Sequence, residues 1–95
     1  MNSSRSRLGR RSRLEILYLI LKSCEKGASK TQITYDARVN FKLSAQYLEM
    51  LERKNLVEQY LVEGRRIYRL TEKGRHLLHH LEEVVKLLDV KITPS

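Results

Sequence analysis

Arginine carries a permanently charged, planar guanidinium whose N–H fork matches a phosphate or a carboxylate. Three arginines, Arg65, Arg66 and Arg69, stand in the stretch VEGRRIYRLTEKG, on the tip and second arm of a predicted hairpin. Five more, Arg5, Arg7, Arg10, Arg11 and Arg13, fall within the first 13 residues, where there is no acid. Groups of this type neutralise phosphates and release their counterions. Each cluster also has a plainer reading. Charge on a hairpin blunts its edge against strand addition, and an arginine-rich leader can be a solvated tail. Lysine or glutamate would blunt the hairpin equally well, which favours phosphate contact there. The complete preference for arginine in the leader favours an arm that follows phosphates or enters a minor groove.

A predicted helix between these clusters carries the other candidates. Gln46 can pair bidentately with the edge of an adenine. Lys42, Ser44 and Tyr47 are candidates to position that helix against a nucleic-acid backbone. Arg53 joins them, although Glu49 four residues before it suits a surface ion pair. Glu49 and Glu52 argue against close phosphate approach. Lys30 and Thr31, at the start of a preceding short helix, can meet a phosphate or simply form an ordinary helix start. His76, His79 and His80 share a helix face with Glu72 and Glu83, a spacing open to a metal ion or a pH response. A solvated face is the simpler reading, since no further Cys or His completes a closed site. Cys24 is the one cysteine, so no intramolecular disulfide can form, and it reads as a small buried hydrophobe. No nucleophile–base set and no glycine-rich phosphate loop is present, so neither catalysis nor a cofactor or metal is expected.

The bounds of the chain agree. Its 95 residues make one domain with a marginal core. The net charge of +8, five of it in the first 13 residues, points to DNA, RNA or another anionic surface, or to a highly charged soluble protein. The longest apolar run, ILYLIL, is far short of a membrane span, and no signal peptide is seen, so no membrane partner is expected. A reducing, cytoplasmic setting fits.

The elements that must position these residues follow from capping and periodicity. Residues 1–12 are expected as a disordered basic arm. Ser12 and Glu15 form a capping box for a helix running to about Lys26, with Gly27 as its stop. Leu14, Leu17, Ile20, Leu21 and Cys24 should form its main face, with Ile16 and Leu19 off it. A second helix, about Lys30 to Arg38, is capped by Ser29 and turns inward Ile33, Ala37 and Tyr35. Asn40 tolerates a left-handed turn and Phe41 is expected to anchor it. A third helix begins near Leu43 or Ser44 and ends at Asn55. Two strands, LVEQYLV and RRIYRL, follow, with Tyr68 and Leu70 on the core face. Thr71 caps a last helix to about Val90. Its stripe of Leu77, Leu81, Val84, Val85 and Leu88 (with Leu78) suits a coiled-coil pairing, and residues 91–95 form a tail.

Helix, helix, turn, helix, strand, turn, strand, helix describes a mainly α fold with a small β-hairpin. LSAQYLEMLERKNLVEQYLVEGRRIYRLTEKG resembles the recognition-helix-to-wing segment of the winged helix-turn-helix family. The stretch from about Arg13 to Leu88 is similar to the small basic archaeal members that bind DNA as dimers through the last helix. The resemblance implies a winged helix-turn-helix domain over residues 13–70 and a dimerisation helix over residues 71–90. It further implies double-stranded DNA as partner, a homodimer, and a nucleoid-associated regulator or chromatin protein. The alternative on the same fold is a protein-interaction or RNA-binding module.

Overall fold

A computed structural model describes residues 12–88 of the chain. Expectations for Arg5, Arg7, Arg10 and Arg11, for the arm as a whole and for the tail after position 88 fall outside the described residues. The elements are α1 (Arg13–Cys24), α2 (Lys30–Ala37), α3 (Phe41–Arg53), β1 (Val57–Val62), β2 (Arg65–Leu70) and α4 (Glu72–Leu88).

Local chemistry sets the helix starts. At α1 the capping box closes in both directions: Glu15 N–H donates to Ser12 Oγ at 3.1 Å, and Ser12 N–H donates to Glu15 Oε1 at 3.0 Å. Ser29 Oγ caps α2 and Thr71 Oγ1 caps α4, accepting from Gln32 N–H at 3.2 Å and Gly74 N–H at 3.0 Å. Asn40 is not a left-handed turn residue. It is extended (φ −83°) and caps α3 by accepting from Leu43 N–H at 2.7 Å. The left-handed residue is Arg38 (φ 57°), which ends α2 one residue earlier than expected. With Asn40 as cap, α3 starts at Phe41, not at Leu43 or Ser44. Phe41 therefore sits on the first turn, 55% exposed, and anchors nothing.

The core is built around α1, which packs on α2, α4 and β2. Ile16, Leu19, Ile20, Leu21 and Cys24 are buried, whereas Leu14 is exposed and Leu17 half-buried, so the expected face is rotated. The helix is enclosed on more than one side, and burial follows its neighbours rather than one stripe. α1 ends at Cys24, two residues short of the expected end, and Gly27 (φ 87°) turns the chain beyond it. Ile33 and Ala37 of α2 are buried as expected, but Tyr35 is 71% exposed.

The strands pair antiparallel from Val57 opposite Leu70 to Val62 opposite Arg65. The turn is only Glu63-Gly64, both at positive φ (52° and 78°), the conformation that matches the twist of a two-residue hairpin. Tyr68 and Leu70 face the core as expected. An unexpected third partner is Ala28: its N–H donates to Tyr68 O at 3.0 Å and its O accepts from Tyr68 N–H at 2.8 Å. This bridge ties the loop before α2 to the hairpin. α4 enters so close to β1 that a Cβ on Gly74 would stand 2.0 Å from Leu56 O. It then lies along α1, where Lys22 Nζ bonds Glu82 Oε2 at 3.2 Å.

Candidate nucleic-acid interface

Starting α3 at Phe41 decides which side chains it displays. Lys42, Gln46, Glu49 and Arg53 are all exposed and recur at spacings of four, three and four, one continuous strip. Leu48 and Leu51, on the opposite side, are buried at 2% and 0% exposure and fix the helix to the core. Ser44 falls on this inner side and is 0% exposed. Its hydroxyl meets that of Thr34. Thr34 Oγ1 also reaches Lys30 O at 2.7 Å, and Ser44 Oγ reaches Phe41 O at 3.4 Å, so the two hydroxyls share a hydrogen bond that is anchored to the backbone of both helices. Ser44 thus joins α2 to α3 inside the core and cannot touch a backbone outside. Tyr47 is half-buried beside α1. The expected Glu49–Arg53 ion pair is not among those closed in the described residues, and both side chains face solvent.

The hairpin is held against α3 by a polar chain. Gln59 Nε2 donates to Glu52 Oε2 at 2.8 Å, and Arg66 Nη1 donates to Gln59 Oε1 at 3.3 Å. Gln59 lies opposite Tyr68, and Leu61 lies opposite Arg66. Direct partners share a face, so the face that is core at Val57, Leu70 and Tyr68 becomes the α3-facing side at Gln59, Leu61 and Arg66. Burial, with Glu52 nearby, raises the Tyr68 phenol above its ordinary range, so it stays neutral beneath this chain. Glu52 is accounted for by the same contacts: it accepts from Gln59 rather than standing free near the exposed strip.

Arg65 and Arg69 lie on the other face, as the alternation requires. Arg69 sits 5.3 Å from the centre of the Tyr60 ring, in cation–π reach, and packs toward Gly27. Of the three wing arginines, Arg66 is thus the one directed toward α3, and Arg69 is turned away from it.

Two further surfaces adjoin α3. Arg13, Leu14, Leu17, Leu43, Gln46, Tyr47 and Met50 line an open, mainly apolar groove between α1 and α3. Arg13, the last arginine of the leader, therefore emerges beside Gln46. At the corner between α2 and α3, Thr31, Tyr35, Arg38 and Phe41 border a second hollow. Lys30 and Thr31 are exposed at the first turn of α2. Sequence reading missed three features: the Gln59 link, the exposed aromatic pair at this corner, and the run Tyr60-Leu61-Val62. That run breaks the alternation of β1, and the break was the available signal.

On α4, Leu78 and Leu81 are buried, so Leu81 belongs to the domain's own core rather than to an outward stripe. Leu77 and Val85 are half-buried, Val84 and Leu87 exposed, and the expectation for the Leu88 side chain falls outside what is described. His76, His79 and His80 face solvent, with His79 Nε2 3.9 Å from Glu83 Oε2. Among the described residues, no three His, Cys, Asp or Glu side chains are placed to share an ion. Nor, among these residues, is any helix long and apolar enough to cross a membrane.

The model of the winged helix-turn-helix family matches residues 10–89. The structure resembles that of Sso10a-2, a DNA-binding protein from Sulfolobus solfataricus, with 33% identity over 83% of each chain and a TM-score of 0.74. It also resembles BldR, a transcriptional regulator from Sulfolobus solfataricus, with 27% identity and a TM-score of 0.71, covering 87% of this chain but 63% of that one. MepR, a transcription regulator of the Staphylococcus aureus multidrug efflux pump MepA, shares the fold at 18% identity and a TM-score of 0.67, over 90% of this chain and 66% of its own. No curated protein matches the chain.

Proposed function

The chain belongs to the winged helix-turn-helix family, and from that premise we propose that it binds double-stranded DNA as a homodimer, acting as a transcriptional regulator or a nucleoid-associated chromatin protein in the cytoplasm. The observation that carries the proposal is the Glu52–Gln59–Arg66 chain, which holds the wing and the exposed strip of α3 in one fixed relation. α3 enters the major groove, with Gln46 at the base edges and Lys42 and Arg53 toward the backbone. Arg65 and Arg66 meet phosphates beside that groove, Arg13 leads the arm of Arg5, Arg7, Arg10 and Arg11 along the duplex, and Lys30 and Thr31 support the contact from α2. Arg69, turned toward Tyr60, contributes charge at longer range. The DNA-binding description of Sso10a-2 supports the same reading.

Most of the affinity then comes from phosphates, with modest sequence preference from Gln46. Binding to a random duplex pool at two salt concentrations tests this. Affinity should fall steeply with salt, and Arg65→Ala with Arg66→Ala should weaken binding to all sequences alike. An enriched motif indicates a regulator and uniform binding a packing protein. A flat salt response overturns the proposal. The alternative, a protein-interaction or RNA-binding module, is favoured by one observation, the exposed Tyr35 and Phe41 at the helix corner. Competition between duplex DNA, RNA and an acidic partner separates the two readings.

A further inference from the structure

The outer end of the hairpin carries apolar side chains where a projecting arm needs polar ones. Tyr60, Leu61 and Val62 are 42%, 72% and 43% exposed. One exposed leucine on a surface is ordinary, but three apolar residues in succession at the free end of a two-stranded arm are not required by this fold. Tyr60 has a local use under the Arg69 guanidinium. Leu61 has none. Its cross-strand partner is Arg66, and that of Val62 is Arg65, so each apolar side chain next to the turn has an arginine directly across. Arg66 is drawn toward α3 through Gln59. Leu61 therefore projects on the α3-facing side of the arm, beyond the last polar contact to the domain.

We propose that the hairpin tip is a minor-groove wedge, in which Leu61 presses between base pairs, partly unstacks a step and bends the duplex, while Arg65 and Arg66 hold the flanking phosphates. This rests on the DNA-binding reading above and adds a deformation to it. A leucine has no donor or acceptor with which to read a base edge. Apolar wedges of this kind act where base steps open toward the minor groove, and arginine is the cation that a narrow minor groove attracts. With α3 in the major groove, the arm tied to its C-terminal end through Gln59 and Glu52 would extend across the bordering phosphates toward the neighbouring minor groove. Charge complementarity selects DNA over an apolar protein partner: the exposed leucine is flanked by two guanidinium groups against one carboxylate, Glu63, in the turn. Specificity would then come partly from flexible pyrimidine–purine steps, at positions α3 never touches.

The test uses the full chain and an end-labelled duplex of about 25 base pairs with 2-aminopurine at a central T·A step. At saturating protein and low salt, the wild type is expected to raise both end-to-end energy transfer and 2-aminopurine fluorescence. Leu61→Ala should lose most of both signals while affinity changes about threefold or less, because phosphate contacts carry affinity. Arg66→Ala should show the converse, weaker binding with the bend retained at saturation. Leu61 is exposed, so its variant keeps the fold, which far-ultraviolet circular dichroism verifies. Salt-sensitive binding to a duplex that stays straight, or a bend unchanged by Leu61→Ala, overturns the wedge and leaves the DNA reading intact. Absence of salt-sensitive binding overturns both. Loss of self-association in Leu61→Ala would assign the residue to a contact between copies and equally overturn the wedge.

Discussion

At the scale of single residues, the same side-chain types take opposite roles according to where the helix cap falls. Ser44 reads as a surface residue if α3 begins beside it, and as a core residue once Asn40 caps the helix and Phe41 starts it. Asn, Lys and Ser all occur in turns and at helix starts, so the sequence alone left the boundary open by two or three positions, and with it the faces. Cys24 is the opposite case, legible from its apolar neighbours and its isolation. It is fully buried, and burial pushes its thiol up from 9.0 to about 12. A folded pKa above the unfolded one means that the stabilising contribution is complete below about pH 9 and is lost as pH rises toward about 12. Cys24→Ala has no thiol to ionise. Between about pH 9 and about pH 11 it should lose less stability than the wild type in urea unfolding. Parallel losses would show that the thiol is not held neutral by the fold.

At the scale of elements, the order and type of all six were legible, because caps and hairpin chemistry are local. Ser12 with Glu15, Ser29 and Thr71 each announce a helix, and a glycine between two β-rich runs announces the hairpin. What each element buries was less legible. α1 is apolar nearly all round, so its periodicity could not choose between Leu14 and Leu19, and only the positions of α2, α4 and β2 decide. Gly74 marks a close approach that composition does not reveal. A Cβ there would stand 2.0 Å from Leu56 O, a backbone atom that cannot rotate aside, whereas a Cβ on Gly64 meets nothing within 4 Å. Gly74→Ala should therefore cost about 2–3 kcal/mol and lower Tm by roughly 10–20 °C. Gly64→Ala meets only the strain of its positive φ (78°), about 1 kcal/mol. Thermal unfolding of both variants checks the ranking, and equal losses would mean that α4 shifts freely on the hairpin.

At the scale of the molecule, the apolar surface left over after folding bears on assembly. A chain of 95 residues buries a modest share of its surface. α4 uses Leu78 and Leu81 on its own domain, which removes Leu81 from the pairing stripe that the four-three-four spacing suggested. The stripe is displaced rather than abolished: Val84 at 38% and Leu87 at 82% exposure remain outside, next to half-buried Leu77 and Val85. Two copies paired along this flank would each carry a recognition helix and a wing on one duplex. The second contact then forms at high effective concentration, so dimerisation raises duplex affinity without any new DNA contact. A Val84→Glu, Leu87→Glu variant puts like charges into that flank without touching the core. Light scattering after size exclusion should give twice the chain mass for the wild type and the single-chain mass for the variant, with circular dichroism unchanged. The variant should also bind duplex DNA at least tenfold more weakly, on the order expected when two linked contacts become one. A wild type of single-chain mass, or a variant that still pairs, would move the interface to the groove between α1 and α3 or remove the dimer from the account.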